Sequence, residues 1–465
     1  ADRFIEYTTV ANNGATHHES NKNIEITTNN YAFETEVNYK TILNSNGQQL
    51  EAFVSYSEHS GKDKMKNSLY YSNGSHLQNT SALQLNKEWY GGVEFLHPVN
   101  KRINCKGGYH LSDQNFRNNF NSESYDMNAA NWYTDTELAS RFTYHRHTEA
   151  LSFVFGITNT TWDGDIGFRA EYTSTTQNQN KTQSGLEIFP TINLAGKVNG
   201  RHTVYFAYGR RINRPSVKML DPFASKYADE LNIHQGNPDL TPELVNSFEV
   251  GDRFSYEKFS GSVSLYYRYI NQAISRVKLA CNDSAVSVTY LNLGHATLGG
   301  CDFVFSYRPF TWCEITPAAN FFSASLTGNA GSNIVDGCEF AWNGSVSFLF
   351  RVPKILNLRM AGYYRSELPS IMGTYNERWY ADLAVSKKIF KNKGQIIFKI
   401  EDVFDSYLYG LSVNGCNDDG YHFSQQNKRK IDTAYFALSF IYNIDGNNQP
   451  KKTGKESFYL DSFEK

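Results

Sequence analysis

One proline-rich segment of the chain, residues 210–243, concentrates charged side chains that could bind a ligand at the outer mouth of a barrel. Prolines fix the backbone φ angle and end strands, so the same segment is typical of a shaped, ordered loop. We predict such a loop, braced by pairs between its charges, and keep ligand binding by its arginines as the second interpretation. The residues concerned are Arg210, Arg211, Arg214, Asp221, Asp239, Glu243, Pro215, Pro222, Pro238 and Pro242.

Four tyrosines in polar stretches could contact a ligand through their ring faces. A tyrosine ring has an apolar body and a polar tip, which suits stacking on a sugar or a siderophore. The same properties suit a belt of aromatic residues at a membrane surface. Both interpretations stay open for Tyr227, Tyr364, Tyr375 and Tyr409.

Other residue types with chemical potential are scattered. His17-His18 and His145-Arg146-His147 could bind a metal, but adjacent histidines in polar segments are more often solvated, so we predict no metal site. No H-E-x-x-H, G-x-S-x-G, phosphate-loop or dinucleotide motif is present, and we predict neither an enzyme nor a cofactor. A hydrolase would need an Asp/His or Ser/His cluster in the loops within hydrogen-bond reach. The six cysteines form no C-x-x-C pair, and no disulfide pairing follows from them.

Composition excludes several classes of protein. The formal net charge of -2 and the pI near 6.7 give no basic field for nucleic acid. The mean hydropathy is -0.53, and no stretch approaches the roughly 20 apolar residues of a membrane helix. The most apolar run, Ala434–Ile444, has the length of a strand. Aromatic residues nevertheless make up 15% of the chain, which is compatible with aromatic belts around a membrane β-barrel.

The elements that position these residues are strands with strict alternation. In Glu149–Thr158 and Gly164–Thr173, apolar side chains occupy every second position and polar ones the positions between. The same pattern recurs in Cys301–Arg308, Leu356–Arg365 and Ile396–Glu401. Charged residues recur on the non-aromatic side of these strands, where we predict a polar network inside a barrel. Its predicted members are Arg169, Glu171, Arg359, Lys399 and Glu401.

Short turns and long polar connections alternate along the chain. Short turns are predicted at 44–48, 98–101, 197–200, 256–259, 308–311, 351–354 and 391–394, and long connections at 60–80, 113–148, 175–183, 212–242, 275–288, 327–337, 366–374 and 406–430. Outer-membrane barrels have this pattern, with short periplasmic turns and long outer loops. The pattern predicts an all-β, antiparallel transmembrane β-barrel with about 17 strands here.

The strand count also predicts an incomplete barrel. The first clear strand, residues 31–43, leads into a short turn, so the chain starts on the outer side. Because complete bacterial barrels usually have an even number of strands with both ends in the periplasm, roughly five strands are expected to be missing. We therefore divide the chain into an outer-loop segment of the truncated barrel (1–30), the barrel (31–444) and a periplasmic tail (445–465).

Two segments of the chain resemble the outer-membrane β-barrel family of TonB-dependent receptors of the Bacteroidetes type. They are Arg210–Phe223 (RRINRPSVKMLDPF) and Gly236–Glu243 (GNPDLTPE), and the resemblance covers residues 25–444. Shorter elements agree in order, with Asp302 standing where the family has Glu. These elements are Gly167–Thr173, Phe189–Pro190, Asn292, Gly294, Gly300–Asp302 and Glu401–Phe404.

The resemblance implies a barrel of about 22 strands with an N-terminal plug that contacts TonB. Neither the plug nor the early strands match this chain. We therefore expect the barrel part of a receptor in the Gram-negative outer membrane that imports a large, scarce ligand, such as an iron chelate, a glycan or a peptide. Its expected partners are membrane lipid, TonB through the plug and, as a further candidate, a surface lipoprotein. The alternative function is a passive porin or a surface adhesion scaffold.

Overall fold

The computed structural model describes residues 3–442 apart from 12–14, 72–73, 135, 137–138, 179–180, 223–231, 281–285, 331–332, 354, 371–372, 391–392, 417–421 and 431–433. Within these residues the chain is almost entirely β-structure, with one short helix, α1. No described helix has the length and hydropathy that a membrane span requires.

The strands and the single described helix follow one another with few interruptions, and their bounds in chain order are as follows. They are β1 (Arg3–Ala11), β2 (Ala15–Ile42), β3 (Gln49–Tyr71), β4 (Gly74–Pro98), β5 (Ile103–Asp126), β6 (Asn131–Thr134), β7 (Ser140–Thr158), β8 (Trp162–Gln177), β9 (Lys181–Val198), β10 (His202–Asn213), α1 (Val217–Leu220), β11 (Asn232–His234), β12 (Glu243–Ser255), β13 (Phe259–Asn271), β14 (Ile274–Ala280), β15 (Val286–Asn292), β16 (His295–Phe310), β17 (Cys313–Ala330), β18 (Asn333–Val352), β19 (Leu356–Arg365), β20 (Leu368–Ser370), β21 (Gly373–Tyr375), β22 (Arg378–Ile389), β23 (Gly394–Glu401), β24 (Leu408–Cys416), β25 (His422–Lys430) and β26 (Tyr435–Tyr442).

Seventeen strands form one continuous antiparallel ladder in chain order, which confirms the predicted fold and strand number. They are β2, β3, β4, β5, β7, β8, β9, β10, β12, β13, β16, β17, β18, β19, β22, β23 and β26. Because each neighbour reverses direction and the number is odd, β2 and β26 run in the same direction.

The two ends of this ladder differ. At one end, here called the short-turn end, connections of two to six residues join the strands, as predicted. At the other end, here called the long-hairpin end, the strands continue far into the segments that were predicted as long connections. The predicted loops 60–80 and 175–183 are mostly strand, since β3 ends at Tyr71 and β9 begins at Lys181. The predicted loop bounds were wrong there. Outside the membrane both faces of the sheet are in contact with water, so polar residues can continue the strand pairing.

The alternation of side chains between the two faces is confirmed. Leu151 and Phe153 on β7 and Phe168 on β8 are 57%, 40% and 46% exposed on the outer face. Phe153 pairs with Phe168 across the strands, with ring centroids 6.1 Å apart. There is no dry centre between two packed sheets among the described residues, where the clusters of fully buried apolar side chains are small. An exposed apolar outer face on a single curved sheet is the arrangement of a membrane barrel.

Aromatic side chains gather on the outer face near the short turns. Phe254 lies 5.2 Å from Phe259 and 6.0 Å from Phe305, measured between ring centroids. Phe310 stacks on Trp312 at 5.1 Å beside the next short turn. This belt matches the aromatic girdle of a barrel at a lipid interface.

The ladder is open along one seam. Residues 24–42 of β2 pair only with β3, and β26 pairs only with β23, within the part of the chain that the structure describes. At the long-hairpin end the ring is bridged instead by β1, which pairs with β2 on one side and β25 on the other. Residues 3–11 and 15–30, predicted as loop, are therefore strand. The predicted tail 445–465 lies outside the described residues.

Candidate functional site: the interior wall and its loop

The interior wall centres on Glu171 of β8. Its neighbours Ala170 and Tyr172 face outward, so alternation turns Glu171 and Arg169 inward. Glu171 is only 8% exposed and lies between two arginines. Its Oε1 accepts a hydrogen bond from Arg169 Nε at 2.6 Å, and its Oε2 accepts one from Arg214 at 2.7 Å. The carboxylate is thereby neutralised on both sides, which a buried charge requires.

The charged network continues across the wall through a histidine that the sequence analysis did not single out. Arg169 donates to Nδ1 of His110 at 3.0 Å, and Nε2 of His110 lies 3.2 Å from Glu94. A neutral imidazole fits both partners, because Nδ1 accepts while the Nε2 hydrogen is donated to Glu94. The amino group of Lys106 forms an ion pair with Glu94 at 2.6 Å and ends this network. The alternation of β5 was the only sequence signal for His110, since it places that ring on the inner face.

Residues 214–222 and 232–242, together called the inner loop here, fold onto the wall above this network. Leu220 of α1 and Leu240 are each 2% exposed and pack against Phe142 and Tyr144 of β7. Those two rings face inward and are themselves almost fully buried. Burial beneath the loop raises the pKa of the Tyr144 hydroxyl, which therefore stays protonated. In its two described parts the loop has a defined shape, and apolar packing as well as charge pairing holds these parts on the wall.

Backbone contacts give the inner loop its shape. Gly236 N donates to Asp221 O at 2.7 Å, and Asn237 N donates to Met219 O at 2.6 Å. A Cβ at Gly236 would lie 2.5 Å from both acceptor carbonyl oxygens, so only glycine fits this turn. Asp221 accepts a further bond from Asn118 of β5 at 2.8 Å. These bonds join residues 219–221 to residues 236–237 and fasten both to the wall.

The predicted arginines separate onto two faces. Arg210 faces inward and bonds Glu187 at 3.0 Å, and Arg214 bonds Glu171 and also Thr173 at 2.9 Å. Arg211 lies on the opposite face of β10 and is exposed. Two of the three arginines are therefore engaged with carboxylates of the wall.

The predicted tyrosines are also divided. Tyr364 lies on the outer face, where it donates to Glu377 at 2.8 Å and its ring is 4.7 Å from that of Trp342. Tyr375 and Tyr409 come together at the long-hairpin end, with ring centroids 5.8 Å apart. Tyr227 lies outside the described residues. The structure thus brings together two of the four candidates.

The remaining predicted polar residues lie on another sector of the inner face. Arg359 of β19 and Lys399 of β23 both align with Ala384 of the intervening β22. Lys399 forms an ion pair with Glu401 on the same strand. Their placement on the inner face extends the polar wall across the barrel.

The histidines near the long-hairpin end are engaged with carboxylates. His145 lies 2.9 Å from Asp113, and His147 lies 3.2 Å from Glu149. Nowhere in the described part of the chain do three His, Cys, Asp or Glu side chains meet in a way that could hold a metal ion. The side chains of His17 and His18 are outside that part. Of the cysteines that the structure describes, Cys105, Cys301 and Cys313 carry free thiols.

Comparison with known families and structures agrees with this architecture. A family model described as "Outer membrane protein beta-barrel family" matches residues 40–442. A search of curated protein sequences found no match.

Several solved structures share the fold at low sequence identity. The FrpB iron transporter from Neisseria meningitidis (F3-3 variant) is 8% identical, with a TM-score of 0.52 over 92% of this chain and 81% of that one. The copper transporter OprC is 10% identical, with a TM-score of 0.51 over 94% of this chain and 80% of that one. The ferric yersiniabactin uptake receptor FyuA from Yersinia pestis is 11% identical, with the same TM-score and the same coverage as OprC.

Proposed function

Because the chain belongs to the outer membrane protein β-barrel family, we propose that it forms the barrel of a TonB-dependent receptor that imports a large, scarce ligand. Its antiparallel strands cross the outer membrane of a Gram-negative bacterium, with apolar side chains toward lipid and charged ones toward the interior. The step from this barrel to energy-coupled import is the proposal.

The width of the barrel is the observation that carries the proposal. Seventeen strands already exceed what interior side chains can fill, since barrels of 16 to 18 strands enclose an aqueous channel. The wall around Glu171 is polar and its charges are neutralised, so it would hold water or a polar domain. Porins of 16 to 18 strands leave that channel open, whereas 22-stranded outer-membrane transporters have a plugged lumen, so a plug is expected if the complete barrel is wider than seventeen strands.

The open seam supports a wider barrel still. Exposed strand edges are not tolerated within lipid, because each unpaired backbone group costs several kcal/mol. Since β2 and β26 run in the same direction, an antiparallel closure needs an odd number of further strands. Five would give about 22 strands, the size of plugged outer-membrane transporters. We propose that such strands and a TonB-contacting plug complete the working protein.

The ligand class is proposed more broadly. The solved structures named above include an iron transporter, a copper transporter and a ferric yersiniabactin uptake receptor, which supports an iron chelate as one candidate ligand. A glycan or a peptide fits the polar wall as well. The same proposal includes a surface lipoprotein as a partner that closes over the long hairpins.

The test compares the complete product of the gene with the chain described above. Each is inserted into planar lipid bilayers for conductance, and each is assayed for binding to the purified periplasmic domain of TonB. A closed channel that binds the TonB domain in the complete product is the expected result. A steady, ohmic conductance without TonB binding would replace import by a passive porin. No conductance and no TonB binding would favour an adhesion scaffold.

A further inference from the structure

Two arginines face each other on the inner wall at the long-hairpin end. Arg365 and Arg378 form the last residue pair of the β19–β22 ladder, so they lie directly opposite. Alternation places both on the inner face, since Tyr364 and Trp379 beside them are on the outer face. Directly opposed residues have Cβ atoms about 5 Å apart, and like charges there destabilise the sheet.

Arg365 has no carboxylate partner among the residues that the structure describes. The charged and polar groups that act on its guanidinium are Arg378, Tyr375, Tyr407 and Tyr409. Its Nε hydrogen is buried and donates to no described acceptor. This differs from Arg169 and Arg214, whose charges Glu171 neutralises. A buried donor without an acceptor destabilises the fold, and an oxygen atom of a bound ligand could supply the acceptor here.

Three tyrosines frame the two guanidinium groups. The Arg365 guanidinium lies 6.0 Å from the centre of the Tyr375 ring, and that of Arg378 lies 5.0 Å from the centre of the Tyr407 ring. Arg378 also donates to the Tyr407 hydroxyl at 2.6 Å. Burial and the adjacent Tyr375 raise the pKa of Tyr409 to about 12, so its hydroxyl stays protonated and able to donate.

A built turn holds Tyr407 in this position. Asp402 is 2% exposed and accepts hydrogen bonds from the backbone of Ser406 at 2.9 Å and of Tyr407 at 3.0 Å. The hydroxyl of Ser406 donates to Trp379 O at 2.9 Å, which fastens the turn to the strand that carries Arg378. The backbone that carries Tyr407 is therefore held next to the strand that carries Arg378.

We propose that Arg365, Arg378, Tyr375, Tyr407 and Tyr409 form a binding site for an oxyanion group of a ligand, either a carboxylate or a phosphate. The planar fork of a guanidinium matches both groups in a bidentate manner. An anion between the arginines would remove their repulsion and supply the acceptor that Arg365 Nε lacks. The tyrosine hydroxyls would donate to its remaining oxygens. If this site binds the imported substrate, the substrate is anionic; that step rests on the proposed function.

The test is a titration of the detergent-solubilised chain with two probes, citrate and pyrophosphate, by isothermal calorimetry. Ionic strength is held constant with sodium chloride, because exposed charges are screened by salt. Saturable binding of one or both probes is expected, and the stronger probe distinguishes a carboxylate site from a phosphate site. Maltotriose, which is uncharged, is expected not to saturate this site.

Variants identify the site. Arg365→Gln is expected to weaken binding of the stronger probe about tenfold or more, because a charge-assisted bond is lost. Arg365→Lys keeps the charge without the planar fork, so its affinity for the probe is expected to lie between those of the unmodified chain and Arg365→Gln. Arg351→Gln is the matched control, since Arg351 lies near the short-turn end and is already paired with Glu314 at 2.7 Å. It is expected to bind the probe as the unmodified chain does.

Two results would overturn the site. One is the absence of saturable binding for both probes; the other is an equal loss of binding in Arg365→Gln and Arg351→Gln, which would indicate general charge attraction. The measurement needs neither TonB nor a plug. If the chain binds the probe through Arg365 but the complete gene product conducts as an open pore, the oxyanion site stands and the import proposal is wrong.

Discussion

The interior wall contains two pairs of arginines in opposite electrostatic situations. Arg169 and Arg214 converge on Glu171, which lies between them and neutralises both. Arg365 and Arg378 converge on each other and on tyrosines. The same type of side chain therefore stabilises the wall in the first region, whereas Arg365 in the second region meets no carboxylate among the described residues. A local arrangement that costs stability without a structural gain is typical of a functional site.

The two regions also differ in what covers them. The inner loop packs Leu220 and Leu240 onto the wall near Glu171 and buries Phe142 there. Near Arg365 the cover is a tight turn organised by Asp402, and the neighbouring side chains are tyrosines with polar tips. An apolar cover excludes water and ligand, whereas a tyrosine frame admits both. The comparison separates a structural sector of the wall from a sector suited to binding.

The largest effect is expected from Phe142→Ala, which would break the apolar cover of the first region. The side chain is 1% exposed, and its removal should leave a cavity that costs about 3–5 kcal/mol. Urea unfolding of the refolded chain measures the change in free energy. Phe153→Ala on the outer face of the same strand is the control and should cost much less in detergent. Equal losses in the two variants would show that the inner loop is not packed as described.

Glu171→Gln comes next and would make the first region resemble the second. Removing the carboxylate leaves Arg169 and Arg214 without their shared partner. Breaking a buried pair in this way costs about 3 kcal/mol, toward the lower end because both arginines keep some exposure to water. Thermal unfolding followed by circular dichroism measures it, with Glu149→Gln on the more exposed face as the control. A variant as stable as the parent would contradict the assignment of Glu171 as the centre of the wall network.

A smaller decrease in stability, about 2 kcal/mol, is expected for Gly236→Ala. The new methyl group would meet two backbone oxygens at 2.5 Å, and overpacking of this kind costs about 1–3 kcal/mol. Increased proteolytic cleavage within residues 214–242 is the measurement, because the loop should detach before the barrel unfolds. At Gly196 a Cβ meets nothing within 4 Å, so Gly196→Ala serves as the control. Unchanged cleavage in Gly236→Ala would mean that the turn is not essential to the loop.

The smallest effect, and the opposite sign, is expected for Arg365→Gln in anion-free buffer. Relief of the repulsion with Arg378 should raise the free energy of unfolding by about 0.2–1 kcal/mol. Arg169→Gln is the informative partner, since it removes a neutralised arginine and should destabilise the chain. If Arg365→Gln also destabilises the chain, Arg365 belongs to the structure in the same way as Arg169, and the contrast between the regions fails.

Sequence reasoning succeeded where the cause is local. A strand places neighbouring residues on opposite faces, so the alternation in β8 was sufficient to turn Arg169 and Glu171 inward and Phe168 outward. The segment GNPDLTPE was also singled out by its resemblance to the family, and its Gly236 occupies a turn position that no side chain could share. Loop bounds were poorly predicted, because polar strands beyond the membrane lose the apolar alternation that marks a crossing.

The sequence by itself determined the fold, the two faces of each strand and the odd number of crossings, because these depend on period-two patterning and on turn spacing. Only the tertiary structure decided which charges meet. His110 and Arg169 are 59 residues apart in the chain, and Arg214 and Glu171 are 43 apart. Contacts of this kind depend on the register between strands and on how the inner loop folds back. That register is set by the whole ladder, so Arg365 and Arg378 became a pair only once β19 and β22 were aligned.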